Sequence, residues 1–301
     1  MSQETANEAW TIGRLLRWTT GWFEQHGVDA PRLSAELLLA HTFGCKKIEL
    51  YTRFEHVANP EQLTTMRELV RKAAEHMPVA YLIGRKEFFS LEFEVSPAVL
   101  IPRPETETLV QRVIDLCRAR PDEPLAILDL GTGSGCIAVA IAKYVPTADL
   151  VASDASAEAV EIARHNAERH GVAERIAFCV ADGLALEAAV VPLGGFDVIA
   201  SNPPYIAEAD FDALPRNVRD YEPRASLTLP GSDGLAFYRR LAAECGGCLK
   251  PDGSILVEIG HDQSQSVPAI FAETRHFTHV GTYRDPTDPH DRVVHFQRTG
   301  A

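Results

Sequence analysis

The stretch ILDLGTGSGCIA, Ile127–Ala138, decides the fold of this chain. A short apolar run that contains one carboxylate leads through three glycines at alternate positions into a second apolar run. This pattern predicts a buried strand, a glycine-rich turn and the first turn of a helix. Glycines let the backbone approach a ligand closely, and the free N–H groups of a helix N-terminus can donate hydrogen bonds to it. Taken alone, the pattern also fits a tight turn with a purely structural role.

The alternation of strand and helix continues through the second half of the sequence. Helical segments separate five apolar runs predicted as strands, Leu125–Leu130, Asp149–Asp154, Arg175–Asp182, Phe196–Ser201 and Ser254–Ile259. This order favours an α/β fold with a mostly parallel sheet, helices on both faces and ligands at the carboxyl ends of the strands. Two late strands, His279–Arg284 and Arg292–Gln297, are expected to form an antiparallel edge pair.

The sequence ahead of the glycine-rich turn has a different character. Apolar residues recur at helical spacing from Thr11 to about Ala80, and Pro31 and Pro60 stand just inside two expected helix starts. Residues 84–101 alternate apolar and polar side chains in places, which predicts a β-hairpin, and a helix is expected from Glu105 to Arg118. A small helical domain should therefore precede the α/β domain.

Composition and charge exclude several classes of protein. Hydrophobic residues make up 46% and charged residues 24% of the 301 residues, as in folded globular proteins. The formal charge of −13 opposes broad binding of nucleic acid. No apolar stretch reaches the ~20 residues of a membrane span, and the start has no basic segment before an apolar run. A cytoplasmic location is expected.

Cysteine and histidine give no sign of a metal site. The six cysteines fall mostly in apolar segments, as expected of reduced thiols in a core. Cys245 and Cys248 have CxxC spacing, but no second pair accompanies them, and none of the eleven histidines falls in a motif that carries chemistry. We therefore predict no metal site.

Acidic residues at successive strand ends point to an adenosine ligand. Asp129 belongs to the first strand, and no further glycine follows Gly135 at the position that a dinucleotide site prefers, so the pattern favours S-adenosylmethionine. Asp154 ends the second strand, where it could accept hydrogen bonds from both ribose hydroxyls or cap the next helix. Asp182 and Gly183 end the third strand, where they could contact the adenine edge, although Asp182 could equally be a cap.

The motif Ser201–Tyr205, SNPPY, follows the fourth strand. Proline stiffens the backbone after Asn202, so the Asn202 side-chain oxygen and the Pro203 carbonyl could form a fixed pair of acceptors for a planar NH₂ group. Tyr205 offers a ring face for stacking. An ordinary Asn-Pro turn is the alternative.

Such a pair of acceptors suits methyl transfer to an amide. An amide nitrogen is a poor nucleophile because its lone pair is delocalised into the carbonyl. Two acceptors that hold both N–H bonds return electron density to the nitrogen and aim it at the methyl group of a sulfonium. No strong base is needed before the attack, because the nitrogen becomes far more acidic once it is methylated.

Several motifs together resemble the HemK-like N5-glutamine methyltransferases over nearly the whole chain. The segments that carry the resemblance are Pro78–Arg85, Glu87–Phe89, Val95–Pro97, Leu100–Glu107, DLGTGSG and SNPPYI. The resemblance implies a class I S-adenosylmethionine-dependent fold, Rossmann-like with seven strands. It also implies that the cofactor contacts Gly131, Thr132, Gly133, Ser134, Gly135, Asp154, Gly183 and Asn202, and the substrate amide contacts Asn202, Pro203, Pro204 and Tyr205, with Arg103 near the mouth of the site.

The resemblance further implies a partner and a division of the chain. The family methylates the glutamine of the Gly-Gly-Gln motif in class I peptide chain release factors. Residues 1–82 would form a helical domain that docks this protein, 83–103 a hairpin linker and 104–301 the catalytic domain. The family usually has a glycine-containing loop before the last strand, whereas residues 285–291 are proline-rich here.

Other functions stay open at this point. A sibling enzyme methylates a glutamine of a large-subunit ribosomal protein, although RPETE at Arg103–Glu107 is more typical of the release-factor branch. A DNA adenine-N6 methyltransferase could grip a flipped base with the same motif, but the acidic charge opposes it. A binding module without catalysis and a nicotinamide oxidoreductase are disfavoured by the intact NPPY and by the glycine pattern, respectively.

Overall fold

The chain divides into two compact units, seen in a computed structural model that describes residues 9–285 and 289–299. The first unit runs to Gly84 and also includes Pro215–Tyr221, and the second holds the remaining residues. The Tyr221 hydroxyl donates to the main-chain oxygen of Glu75 at 2.8 Å. Residues 215–221 fall within the domain predicted at 104–301, because no local pattern signals a bond to a residue 146 positions away.

Helices build the first unit, as the spacing of its apolar residues predicts. They are α1 (Ile12–Gln25), α2 (Pro31–Thr42), α3 (Lys47–Thr52), α4 (Pro60–Ala74), α5 (Val79–Ile83) and the short α9 (Arg216–Arg219). Pro31 and Pro60 occupy the first turns of α2 and α4. Asn59 and Gln62 form a capping box that satisfies free N–H groups at the start of α4. None of the helices in the described part of the chain has the length and apolar character needed to cross a bilayer.

Strands and helices alternate in the second unit. The strands are β1 (Arg85–Phe88), β2 (Leu91–Glu94), β3 (Ala126–Leu130), β4 (Asp149–Asp154), β5 (Ile176–Val180), β6 (Phe196–Ser201), β7 (Leu249–Glu258), β8 (Phe277–Arg284) and β9 (Asp291–Arg298). The helices are α6 (Thr106–Arg118), α7 (Cys136–Tyr144), α8 (Ala157–Arg169), α10 (Ala236–Glu244) and α11 (Ser266–Thr274). Single turns of 3₁₀ helix cover Ala173–Arg175, Arg224–Ser226 and Cys245–Gly247, and a longer one covers Glu208–Ala213.

Seven strands form one sheet in the order β5-β4-β3-β6-β7-β9-β8. The first five are parallel, and β9 is antiparallel to both β7 and β8. The predicted parallel sheet and its antiparallel edge pair are thus confirmed. Strand β7 begins five residues earlier than predicted and is irregular opposite β6. Of the proline-rich loop 285–291, residues 286–288 lie outside the described part of the chain.

The hairpin of β1 and β2 packs onto α8 within the second unit. Asn166 of α8 is fully buried, and its side chain bonds both main-chain groups of Glu94, accepting from N at 2.7 Å and donating to O at 3.0 Å. The same amide donates to the oxygen of Ser134 in the glycine-rich turn at 2.8 Å. The hairpin predicted as a linker is therefore tied to the sheet's ligand edge by one buried side chain.

Candidate active site

Neighbouring parallel strands bring most of the predicted site residues to one edge of the sheet. Strands β4, β3, β6 and β7 lie side by side, about 4.8 Å apart, and run in the same direction. Asp154 ends β4, the glycine-rich turn follows β3, and the SNPPY motif follows β6. Glu258 ends β7 and was not singled out in the sequence. Sequences far apart in the chain thus meet at the carboxyl edge where such sheets bind ligands.

The turn after β3, Gly131–Gly135, is held against β4 by backbone bonds. The N–H groups of Gly131 and Thr132 both donate to the Ser153 oxygen at 2.8 Å. Gly131, Gly133 and Gly135 have φ values of +76°, +54° and +79°, in the left-handed region that favours glycine. A Cβ added at Gly131 or Gly133 would meet nothing within 4 Å, so open space lies beside the turn.

Asp129 binds the strand, the turn and α7 together. Its Oδ2 accepts from the Thr132 hydroxyl at 2.6 Å and from the Ala138 N–H at 3.0 Å. Because Gly135 precedes α7 without a side chain, Asp129 performs the capping that an N-cap residue usually provides. Burial raises the pKa of this carboxyl to about 7. Asp129 Oδ1 has no hydrogen-bond partner among the described residues.

Asp154 bridges the turn and the start of α8. Its Oδ2 accepts from the Gly133 N–H at 2.9 Å and its Oδ1 accepts from the Ser156 N–H at 2.9 Å. The N-cap of α8 is Ser156, whose hydroxyl accepts from the Ala159 N–H, so Asp154 is not the cap residue. Each carboxylate oxygen keeps a second lone pair that can accept from another donor.

Asp182 and Gly183 lie after β5, beside Arg240 of α10. Asp182 is exposed and its Oδ1 pairs with Arg240 Nη1 at 2.7 Å. Gly183 has φ +60°, and a Cβ there would come within 2.9 Å of the Arg240 guanidinium. A cavity beside Gly183 is lined mainly by apolar side chains: Leu130, Leu184, Phe237 and Leu241, with Arg240 and Glu244. Phe237 and Arg240 were not predicted at this edge, because α10 reaches it only through tertiary packing.

The Asn202 side chain has a fixed orientation after β6. Its Nδ2 donates to the Thr106 hydroxyl at 3.2 Å, and that hydroxyl donates to Glu258 Oε2 at 2.6 Å. With its NH₂ group engaged, Asn202 presents Oδ1 as an acceptor. Neither Asn202 Oδ1 nor the Pro203 carbonyl accepts a hydrogen bond from a described residue. Both oxygens are therefore available as acceptors. Thr106 contacts Asn202 and Glu258 contacts Thr106, and neither was singled out in the sequence.

The backbone at Tyr205 is clamped from the other side. Gln263 donates through Nε2 to the Tyr205 oxygen at 2.9 Å, while its own oxygen accepts from the Gly260 N–H at 2.9 Å. A Cβ on Gly234 would lie 2.6 Å from the Tyr205 oxygen, so only glycine fits there. Burial raises the pKa of the Tyr205 hydroxyl well above its ordinary value, so the ring stays neutral at physiological pH.

Two buried carboxylates organise the polar groups around SNPPY. Glu222 pairs with Arg103, and its Oε2 also accepts from the Ile101 N–H at 3.2 Å, which fixes the segment before α6. The Glu258 side chain is buried, and burial raises its pKa to about 7. A carboxylate at the end of an apolar strand was the available sequence signal for Glu258. Nothing local signals Glu222.

A sheet of this order, with a glycine-rich turn after β3 and an acid at the end of β4, defines a class I S-adenosylmethionine-dependent methyltransferase. Family models match a PrmC N-terminal domain at residues 14–84 and a methyltransferase domain at residues 121–275. The release factor glutamine methyltransferase of Rhodopirellula baltica is 41% identical, covering 98% of this chain and 99% of the relative. That of Geobacter sulfurreducens is 43% identical, covering 95% and 96%. The chain belongs to the release factor glutamine methyltransferase family.

A solved structure agrees with the fold. A methyltransferase from Pyrococcus furiosus superposes with a TM-score of 0.50 at 19% identity, covering 71% of this chain and 92% of that one. The cofactor of the class fits the residues present. Open space adjoins Gly131 and Gly133, and Asp129, which bonds Thr132 of the same turn, has an Oδ1 with no partner among the described residues.

Proposed function

We propose that this chain transfers a methyl group from S-adenosylmethionine to the side-chain amide nitrogen of the glutamine in the Gly-Gly-Gln motif of class I peptide chain release factors. One observation carries the proposal. The glycine-rich turn follows β3, and the two SNPPY oxygens that accept no hydrogen bond from a described residue follow β6, and these two strands are paired neighbours in the sheet. The relatives named above carry release factor glutamine methylation in their names, which supports this substrate.

The chain's own residues suit the parts of the cofactor. S-adenosylmethionine, when bound, supplies an electrophilic methyl group on a positively charged sulfur. We assign the backbone of Gly131–Gly135 to the amino acid moiety, where close approach is possible. Asp154 would accept from the ribose hydroxyls with its remaining lone pairs. Asp182 and Gly183, which follow β5, would contact the edge of the adenine.

The acceptors of SNPPY would activate the substrate amide. Asn202 Oδ1 and the Pro203 carbonyl would each accept one N–H of the glutamine side chain. They would hold the nitrogen in place and increase the electron density of its lone pair without removing a proton. The face of Tyr205 would pack against the planar amide, with Pro204 beside it and Arg103 at the mouth. The methylated nitrogen is acidic enough to lose its proton to solvent.

The acceptor test compares four substrates with labelled S-adenosylmethionine. These are a class I release factor, the same factor with its Gly-Gly-Gln glutamine replaced, a large-subunit ribosomal protein and adenine-containing duplex DNA. The formal charge of −13 repels the last. We expect label only in the first, located at the glutamine by mass spectrometry. Label in the ribosomal protein or in adenine instead would contradict the proposed substrate.

The variant Asn202→Ala should lower kcat by roughly 10²–10³-fold, as when one preorganised hydrogen-bonding group is removed from an active site. Its affinity for S-adenosylmethionine should stay close to that of the wild type, since the glycine-rich turn is unchanged. Single-turnover kinetics and calorimetry measure the two quantities. Unimpaired turnover would eliminate the role of Asn202.

We also propose that the first unit, the helical domain predicted at 1–82, docks the release factor. Among its described residues, this unit exposes six large apolar side chains: Trp18, Trp22, Leu33, Ile48, Tyr51 and Val57. On α1, Trp18 and Trp22 stack at 5.5 Å between ring centroids. Replacing both with alanine should raise the KM for the release factor roughly tenfold, the scale of a lost aromatic anchor.

A short Gly-Gly-Gln peptide provides the control for docking, because it can fill the active site without contacting α1. Its KM, and the KM for S-adenosylmethionine, should be the same for the wild type and for the variant lacking Trp18 and Trp22. An unchanged KM for the whole release factor would contradict the docking role of these side chains.

A further inference from the structure

The orientation of the Asn202 amide decides whether the proposed clamp can work. An asparagine side chain carries an acceptor on one side and two donors on the other. Only the orientation with Oδ1 toward the substrate lets the clamp accept an amide N–H. Rotation of the Asn202 amide by 180° about its Cβ–Cγ bond would point its own N–H groups at the N–H groups of the substrate amide. Something in the protein must therefore distinguish the two orientations.

Thr106 and Glu258 supply the distinction. An ionised carboxylate can only accept, so the single hydroxyl hydrogen of Thr106 is drawn to Glu258 Oε2, at 2.6 Å. The Thr106 oxygen then has only lone pairs to offer, and it accepts from Asn202 Nδ2 at 3.2 Å. The direction of both hydrogen bonds follows from the Glu258 carboxylate, the last group in the series Asn202–Thr106–Glu258. Thr106 and Glu258 are 2% and 1% exposed, so water does not compete with this arrangement.

We propose that Glu258 and Thr106 are positioning residues that hold the Asn202 amide with its oxygen toward the substrate nitrogen. This inference rests on the proposed function. It extends the site from SNPPY to the start of α6 and the end of β7, neither of which would touch the substrate. The Tyr238 hydroxyl, which donates to the main-chain oxygen of Glu258 at 2.7 Å, fixes the end of β7.

Protonation of Glu258 reverses the direction of the two hydrogen bonds that link it through Thr106 to Asn202. A neutral carboxyl can donate to the Thr106 oxygen, which frees the Thr106 hydrogen to donate to Asn202 Oδ1 and leaves the NH₂ group facing the substrate. The groups that act on this carboxyl are Glu105, which raises its pKa, and Arg292 and Arg103, which lower it, while burial has the largest effect. Tyr205, Tyr238 and Cys136 are the other titratable groups near it, and burial raises the pKa of each, so all three remain neutral. We therefore expect kcat to increase with pH through the neutral range.

The first experiment compares Thr106→Val, which keeps the shape but loses the hydroxyl, with Thr106→Ser, which keeps the hydroxyl. Thr106→Val should lower kcat at least tenfold with no change in the KM for S-adenosylmethionine, and Thr106→Ser should stay within about threefold of the wild type. Glu258→Gln cannot titrate at this position, so its kcat should be lower at high pH and flat through the neutral range. Wild-type kcat in Thr106→Val, or an unchanged pH profile in Glu258→Gln, would overturn the proposal.

A second measurement does not depend on the substrate. The unfolding equilibria of Asn202→Ala, Thr106→Val and the double variant form a double-mutant cycle. A hydrogen bond between the two side chains should make the effects non-additive by about fivefold in the equilibrium constant. Additive effects would overturn the inference. Absence of transfer to any release factor, with coupling intact, would contradict the proposed function alone.

Discussion

The two halves of the active site are held in place by contacts of different range. On the cofactor side, Asp129 reaches residues three and nine positions ahead, and Asp154 reaches back 21 positions. On the substrate side, Asn202 bonds a residue 96 positions away, and that residue bonds another 152 positions away. The first half is encoded in one continuous segment, whereas the second forms only once the whole sheet is assembled.

The two halves share one device, a buried acid whose pKa is about 7. Asp129 is the acid on the cofactor side and Glu258 the acid on the substrate side. Asp129 holds a backbone turn in shape, and Glu258 holds a side-chain amide in one orientation. Substitutions on the cofactor side should therefore affect folding and cofactor affinity, and those on the substrate side should affect turnover.

The largest effect on folding is expected from Gly135→Ala. An alanine at position 135 would be strained by the positive φ, and its Cβ would lie 2.9 Å from the Cβ and 3.0 Å from the Cα of Ala163. A Cβ on Gly133 would meet nothing within 4 Å. We expect Gly135→Ala to lower the free energy of unfolding by about 2–5 kcal/mol and Gly133→Ala by about 1–2 kcal/mol. Urea unfolding measures both. Equal losses would show that packing against α8 does not constrain the turn.

The next effect concerns the pH dependence of stability. The pKa of Asp129 is raised from 3.8 to about 7 in the folded protein, so the folded state keeps a proton that the unfolded state loses between these values. Stability should therefore decrease as pH rises from about 4 to 7, by at most about 4 kcal/mol at ~1.4 kcal/mol per pH unit. Asp129→Asn should flatten this decrease in urea titrations between pH 5 and 8. The same slope in wild type and variant would contradict the raised pKa of Asp129.

A smaller effect on affinity is expected from Asp154→Ala. Loss of a charged acceptor for the ribose hydroxyls should weaken S-adenosylmethionine binding by about 1–3 kcal/mol in calorimetry. At saturating cofactor, kcat should remain close to the wild-type value, in contrast to Asn202→Ala. A fall in kcat as steep as the fall in affinity would show that the cofactor side affects turnover as well as cofactor binding.

The smallest effect is expected from Asp182→Ala. The Asp182 side chain is 79% exposed, and its pair with Arg240 is a surface contact. Its removal should change the free energy of unfolding by less than about 0.5 kcal/mol and weaken cofactor binding less than Asp154→Ala does. A loss of affinity as large as that of Asp154→Ala would make Asp182 a direct cofactor contact.

The same difference in range explains what could be predicted from the sequence. The glycine-rich turn, the order of strand and helix, and SNPPY are each written in consecutive residues, so their patterns predict them. Thr106 and Glu258 could not be predicted as partners of Asn202, because their meeting depends on β7 lying beside β6 and on the start of α6. Glu222 illustrates the same limit for Arg103, which it meets across 119 positions.

The return of residues 215–221 to the first unit has a consequence for exchanging that unit between this chain and its relatives. The polypeptide passes from one unit to the other after Gly84, after Leu214 and after Tyr221. A single cut at residue 84 would leave Tyr221 without its acceptor on Glu75. Exchanging the helical unit between relatives therefore requires two separate pieces of sequence, residues up to 84 and residues 215–221.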